Sequence, residues 1–246
     1  MSLQQLPSLT KALYPGMYGQ IGYTGQQGII SDGDNRHYFT DLYQHWHNAH
    51  PEAGVAYASL KSWRLLCWQP ALVAVLSVHI LGIAPDIGAI KQIANKGIVF
   101  GYELPDRGVA CSLSLLIIHA GKELKQLCEG LFEGLVTVAP VKKKLAFRLL
   151  ADALMDALIK VYRMNRHYKS KDIQCWADCW LSAMNQKNDS DLMILPLDDL
   201  SEGLGIKRKA CCLHYLQCSG DLCASCPKQS LAIRKVRLQE EWNANV

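Results

Sequence analysis

The chain of 246 residues contains no P-loop, no G-x-G-x-x-G after a strand-like run and no G-x-S-x-G elbow. A built-in nucleotide or flavin site is therefore not supported, and neither is an α/β-hydrolase nucleophile. Any redox chemistry must draw its electrons from another protein or a diffusible reductant. A membrane-length apolar run is missing too. The longest, Pro70 to Pro85, is broken by Ser77, His79 and Gly82 and falls short of the roughly twenty residues a span needs, which leaves at most a peripheral membrane contact. The opening Met1-Ser2-Leu3-Gln4-Gln5-Leu6-Pro7 lacks the basic start and apolar core of an export signal, so a reducing cytoplasm is the expected location and disulfides are not expected. Charge of one sign is scarce: a formal net charge of +4 is too mild to argue for nucleic acid without a recognised binding module. Internal repeats and long low-complexity linkers are absent.

What remains is apolar and periodic. Half of the residues are hydrophobic, enough for a core that folds without a metal. The pattern predicts a mainly α protein: a helical body with one small β-hairpin and a C-terminal cysteine-rich metal-binding segment. Helices are expected over 55–68 and 71–81, divided at Pro70, and over 112–136, 142–164 and 173–184. The clearest is 142–164, where Leu145, Leu149, Ala153, Leu154, Ala157, Leu158 and Val161 recur at three and four residues behind Pro140. A hairpin is expected where 89–94 and 98–104 flank Asn95-Lys96-Gly97. The first thirty residues, rich in Gly, Tyr and Gln, read as loops or short strands. The polar stretch 185–190 divides the chain into a helical body, 1–190, which is the expected substrate-binding region, and a metal-binding segment, 191–246.

Chemistry concentrates in that last segment. Cys211 and Cys212 are adjacent, and Cys223-Ala224-Ser225-Cys226 follows ten residues later. Thiolate sulfur suits soft and borderline metals, and a C-x-x-C pair chelates through one tight turn. Neighbouring Cα atoms lie about 3.8 Å apart and their side chains diverge in an extended chain, so the Cys211-Cys212 pair demands a bent backbone. Gly220, Asp221 and Pro227 supply turn chemistry around the second pair. Structural zinc normally uses two separated chelating pairs, so the adjacent cysteines favour an iron–sulfur cluster over zinc. Elsewhere, Cys67, Cys111 and Cys128 stand among apolar neighbours and are expected in the core. Cys175 and Cys179 lie four apart beside Trp176 and Trp180, a pattern that suggests packing.

The run Lys207-Arg208-Lys209-Ala210-Cys211-Cys212-Leu213-His214-Tyr215, followed by Cys223-Ala224-Ser225-Cys226-Pro227, resembles the C-terminal signature of FhuF-type ferric siderophore reductases. Their C-C-x10-C-x2-C pattern is matched at every position. The motif covers a small fraction of the chain, and the chain length and C-terminal placement also fit. The resemblance implies a 2Fe-2S cluster on Cys211, Cys212, Cys223 and Cys226. It further implies a one-electron reduction of an iron(III)-siderophore that releases iron(II), with electrons from a ferredoxin-like protein or a diffusible reductant. Cys218, a fifth thiol inside the loop, departs from the pattern. Two other classes stay open on the residues alone: an iron–sulfur electron carrier or sensor, and a non-enzymatic zinc-stabilised binding module.

Cations flank the cysteines. Arg208, Lys209 and Arg234 are candidate substrate residues, since nearby positive charge raises a cluster's potential and attracts an anionic chelate or an acidic donor. Lys207, Lys228, Lys235 and Arg237 add to the same basic character, and Pro227 is expected to open a helix. Further patches, Lys142-Lys143-Lys144 with Arg148, and Arg163, Arg166 and Lys169, are candidates to line a groove. His45, His47 and His50 read as a solvated helix face rather than ligands, because i and i+2 positions point apart. His79 and His119 lie in apolar runs and are expected in the core.

Overall fold

The computed structural model describes residues 2–165, 167–197 and 201–244, so Arg166 of the basic patch lies outside the described residues. The fold is mainly α, with seven α-helices and three small sheets among the described residues. The chain opens with α1 (Leu6–Leu13) and β1 (Tyr18–Ile21), then α2 (Arg36–Ala49) and α3 (Gly54–Leu76). Short strands β2 (Ala84–Pro85), β3 (Lys91–Asn95), β4 (Ile98–Leu104) and β5 (Gly108–Val109) follow. The helices α4 (Leu113–Val136), α5 (Lys143–Met164) and α6 (Ser170–Ala183) complete the body. The hairpin β6 (Leu192–Pro196) and β7 (Glu202–Ile206) then leads through the cysteine loop to α7 (Leu231–Ala244).

The central element is α3, which is apolar around most of its circumference and buried on nearly every side from Tyr57 to Leu76. A helix hydrophobic all round belongs in the core of a protein or in a bilayer. The helical run Pro51–Leu81 is long and apolar enough to cross a membrane, yet most of it is buried inside the fold. Trp63 marks where three helices meet. Its indole N–H donates to the Ala146 carbonyl of α5 at 2.6 Å, and its ring packs on Phe147 of α5 and edge-on to Phe132 of α4. Gly121 lets α4 approach α6, since a Cβ there would stand 2.7 Å from that of Ala183.

Several expectations are corrected. Pro70 does not divide a helix: α3 runs through it and ends in a π-helical turn, Ser77–Leu81. The missing N–H weakens one turn, and burial of the whole surrounding segment outweighs that loss. The hairpin loop is two residues, with Asn95 pairing Ile98 while Lys96 and Gly97 take positive φ of 46° and 77°, the pattern of a type I′ turn. Its second strand, β4, also pairs in parallel with β1. The first thirty residues thus hold a short helix as well as a strand. Pro227 does not open α7, which begins four residues later. Cys111 is exposed, whereas Cys67 and Cys128 are buried as expected. His119 is half-exposed beside Glu123 at 3.3 Å. His79 is buried, accepts the Trp180 indole N–H at 3.0 Å, and is kept neutral by burial, which pushes its pKa down to about 3. On α6 the tryptophans pack inward and Cys175 and Cys179 are exposed. From the segment beyond residue 190, Leu192, Leu204, Ile206, Cys212 and Trp242 pack into the same core as the helices.

Candidate functional site

The cysteine loop is held from both ends. Behind it, α7 lies on β7, where Gly203 and Gly205 leave room for the Trp242 ring and the Leu238 side chain. Buried Arg234 reaches from α7 to the carbonyls of Ile206 and Arg208, at 3.4 and 3.3 Å. Arg237 donates to the Leu222 carbonyl at 2.7 Å and to Gln229, whose amide in turn donates to the Cys223 carbonyl at 2.8 Å. In front, Gln217 donates to the Tyr57 hydroxyl of α3 at 2.7 Å. Both the backbone N–H and the thiol of Cys218 address Glu52. Gly220 lies so close to the His214 carbonyl, 2.2 Å from where a Cβ would sit, that no side chain fits there.

The bend that two adjacent cysteines require is supplied by Leu213, whose φ of 63° turns the chain immediately after Cys212. The turn aims backbone donors at sulfur: the Leu213 N–H at Cys211, 3.4 Å away, and the His214 N–H at Cys212. The C-x-x-C half closes through the Cys226 N–H to the Cys223 carbonyl at 2.9 Å. The four thiols stand as two pairs, with 3.7 Å between the Cys211 and Cys226 sulfurs and a hydrogen bond between Cys212 and Cys223. No three His, Cys, Asp or Glu side chains converge on one metal-sized point among the described residues. Metal–sulfur bonds of about 2.3 Å at a tetrahedral centre set two sulfurs about 3.8 Å apart, an edge that the Cys211–Cys226 separation of 3.7 Å matches. That edge fits Cys211 and Cys226 as two thiolates on one tetrahedral metal.

The electrostatics are asymmetric. The Cys212 thiol is acidified first by the Cys223 hydrogen bond and then by the nearby guanidinium groups of Arg64 and Arg208, against the opposing effect of burial. Its partner Cys223 is raised, chiefly because its proton is held in that bond, and Cys211 is raised mainly by burial. Cys212 and Cys226 are buried, while Cys211 and Cys223 keep partial exposure. Arg208 itself is half-buried opposite Asp152, Nε to Oδ2 at 3.7 Å, too long for a hydrogen bond. Asp152 also accepts from Ser190 at 2.6 Å, and burial lifts its pKa to about 6 despite Arg208.

Of the cations singled out in the sequence, Arg208 lies near Cys212 and Cys223, Arg234 near Cys226 and Cys223, and Lys228 near Cys211 and Cys226. Arg234 is a buried clamp on backbone carbonyls, and exposed Lys209 is turned to the Asn188 carbonyl. The residues missed are Tyr57, Lys61 and Arg64 on α3, spaced to share one helix face. A signal existed, since Lys61 and Arg64 are the only charged residues in the 23 of α3. No protein-family model matches this chain, and no solved structure matches it.

Two outcomes follow from this geometry. Cys212→Ser or Cys223→Ser should abolish or strongly disturb the metal-derived visible absorbance. Cys67→Ser, Cys128→Ser and Cys218→Ser should leave it unchanged, and unchanged spectra in both of the first two would show that the ligands lie elsewhere. In the metal-free protein, Asp152 holds its proton more tightly folded than unfolded, so its stabilising contribution is full below the ordinary 3.8 and is lost as pH rises through about 6. That shift corresponds to about 3 kcal/mol. Urea unfolding across this window should show the loss in the native chain and a flatter profile in Asp152→Asn; equal slopes would contradict it.

Proposed function

We propose that this chain is a ferric-siderophore reductase carrying a 2Fe-2S cluster on Cys211, Cys212, Cys223 and Cys226. The observation that carries the reading is the sorting of the C-C-x10-C-x2-C thiols into two pairs, Cys211 with Cys226 and Cys212 with Cys223. A single zinc asks for four sulfurs around one point. Two pairs suit the two irons of a 2Fe-2S cluster, each taking two protein thiolates. Bound there, such a cluster supplies one-electron transfer, taking an electron from a ferredoxin-like protein or a diffusible reductant and passing it to the siderophore's iron(III).

The protein's own groups set the conditions for that transfer. Arg64 and Arg208 beside Cys212 favour added negative charge and so raise the reduction potential. The N–H groups of Leu213 and His214 aimed at sulfur act in the same direction. Burial of Cys212 and Cys226 keeps water from one side, and the partly exposed Cys211 and Cys223 leave an edge near the surface where a partner can approach. Hard oxygen donors hold iron(III) far better than iron(II), so the substrate loosens on reduction and no siderophore bond needs to break. The body, 1–190, provides the substrate face and 191–246 the thiols, and a cytoplasmic location agrees with free cysteines.

The test is anaerobic mixing of the reduced protein with a ferric siderophore and a chromogenic iron(II) trap. Reoxidation should accompany one iron(II) trapped per electron lost. Reoxidation by an oxidised ferredoxin with none by any ferric siderophore would replace the reductase reading with that of an electron carrier.

A further inference from the structure

Beside the thiols, α3 and α5 enclose a cavity of about 350 Å³ that the sequence did not announce. One wall is aromatic. Trp68 stacks on Phe100 at 6.1 Å between ring centroids, and Tyr14 stands edge-on to Trp68 at 5.1 Å. The lining also carries Lys61, Arg64 and Arg208. The acids of the cavity are already engaged: Asp156 by Lys160, and Asp152 by Ser190 and Arg208. Lys61 and Arg64 have no carboxylate partner among the described residues, and Lys61 lies over the Trp46 ring at 4.3 Å. Arg64 and Arg208 thus belong both to the cavity and to the surroundings of Cys212.

We infer that this cavity binds a planar aromatic anion, its ring against Trp68, Phe100 and Tyr14 and its negative charge on Lys61 and Arg64. The reason is complementarity. Partly desolvated cations without a carboxylate partner attract an anion more strongly than solvated ones do, and an aromatic wall beside them selects a flat ring. The volume lies at the lower end of small-molecule sites, roughly 300–1,000 Å³, so it admits one ring system and not an entire hexadentate chelate. Two sources carry that chemistry: the phenolate arm of an iron(III) chelate, with its metal at the mouth, or a flavin phosphate acting as the diffusible reductant. Binding itself stands without the reductase reading. Its redox role rests on that reading, because the cavity shares its cations with the thiols.

The test uses the oxidised, metal-loaded protein, oxidised flavins kept in the dark and redox-inert gallium complexes, in charged and neutral pairs. Flavin mononucleotide is compared with riboflavin, and the gallium(III) tris-(2,3-dihydroxybenzoate) complex with a neutral gallium(III) trihydroxamate, by tryptophan quenching and calorimetry. In at least one pair the anionic member should bind roughly tenfold or more tightly, a preference lost in Lys61→Ala and Arg64→Ala and retained in Arg64→Lys. Preference in the flavin pair identifies the donor, and preference in the gallium pair identifies the chelate arm. No binding of either anion, or binding indifferent to charge and to both alanine substitutions, overturns the site. A reduced protein that no ferric chelate reoxidises would sink the reductase reading while leaving a charge-selective binding result in place.

Discussion

Sulfurs gathered within a few ångströms repel one another as they ionise, and the arrangement around Cys212 depends on two guanidinium groups that offset this repulsion. Arg64 comes from the core helix α3 and Arg208 from the strand exit just before the cysteines. Neither is an ordinary surface charge. Arg208 is half-buried opposite Asp152, its side chain 16% exposed, and a charge so placed costs free energy unless something negative answers it. Asp152 answers it only in part, at 3.7 Å and without a hydrogen bond. The remaining positive potential is directed at the thiols, where it would favour an anionic metal–thiolate centre.

The rest of the fold serves that juxtaposition. Trp63 ties α3 to α5 and fixes the helix on which Tyr57, Lys61 and Arg64 share a face. Tyr57 receives the cysteine loop through Gln217, and α7 pins the other side through Arg234 and Arg237. The loop is therefore braced by side chains from three distant parts of the chain. This explains why residues beyond 190 share a core with the helical body.

How much of this was legible in the sequence follows from the range of each interaction. The thiols lie within sixteen positions and their spacing speaks for itself, as do the long periodic helices α4 and α5. Pro70 misled because the rule that proline ends a helix is local, while the burial that carries α3 through it is tertiary. Glycine-rich residues 1–30 hid α1 and β1, since β1 is ordered by pairing with β4, some eighty residues later. Arg64 stands nearly 150 positions from Cys212, so only the folded chain reveals their proximity. Arg234 looked like a substrate cation beside the motif, but its depth under α7 makes it a clamp on carbonyls.

Two pairs of thiols beside Arg64 and Arg208 amount to a claim about metal content, and composition tests it most directly. Protein purified anaerobically should be brown and carry iron and acid-labile sulfide in equal amounts, with no stoichiometric zinc. A colourless protein with one zinc per chain, holding all four sulfurs around a single metal, would contradict the division into pairs and the redox function built on it.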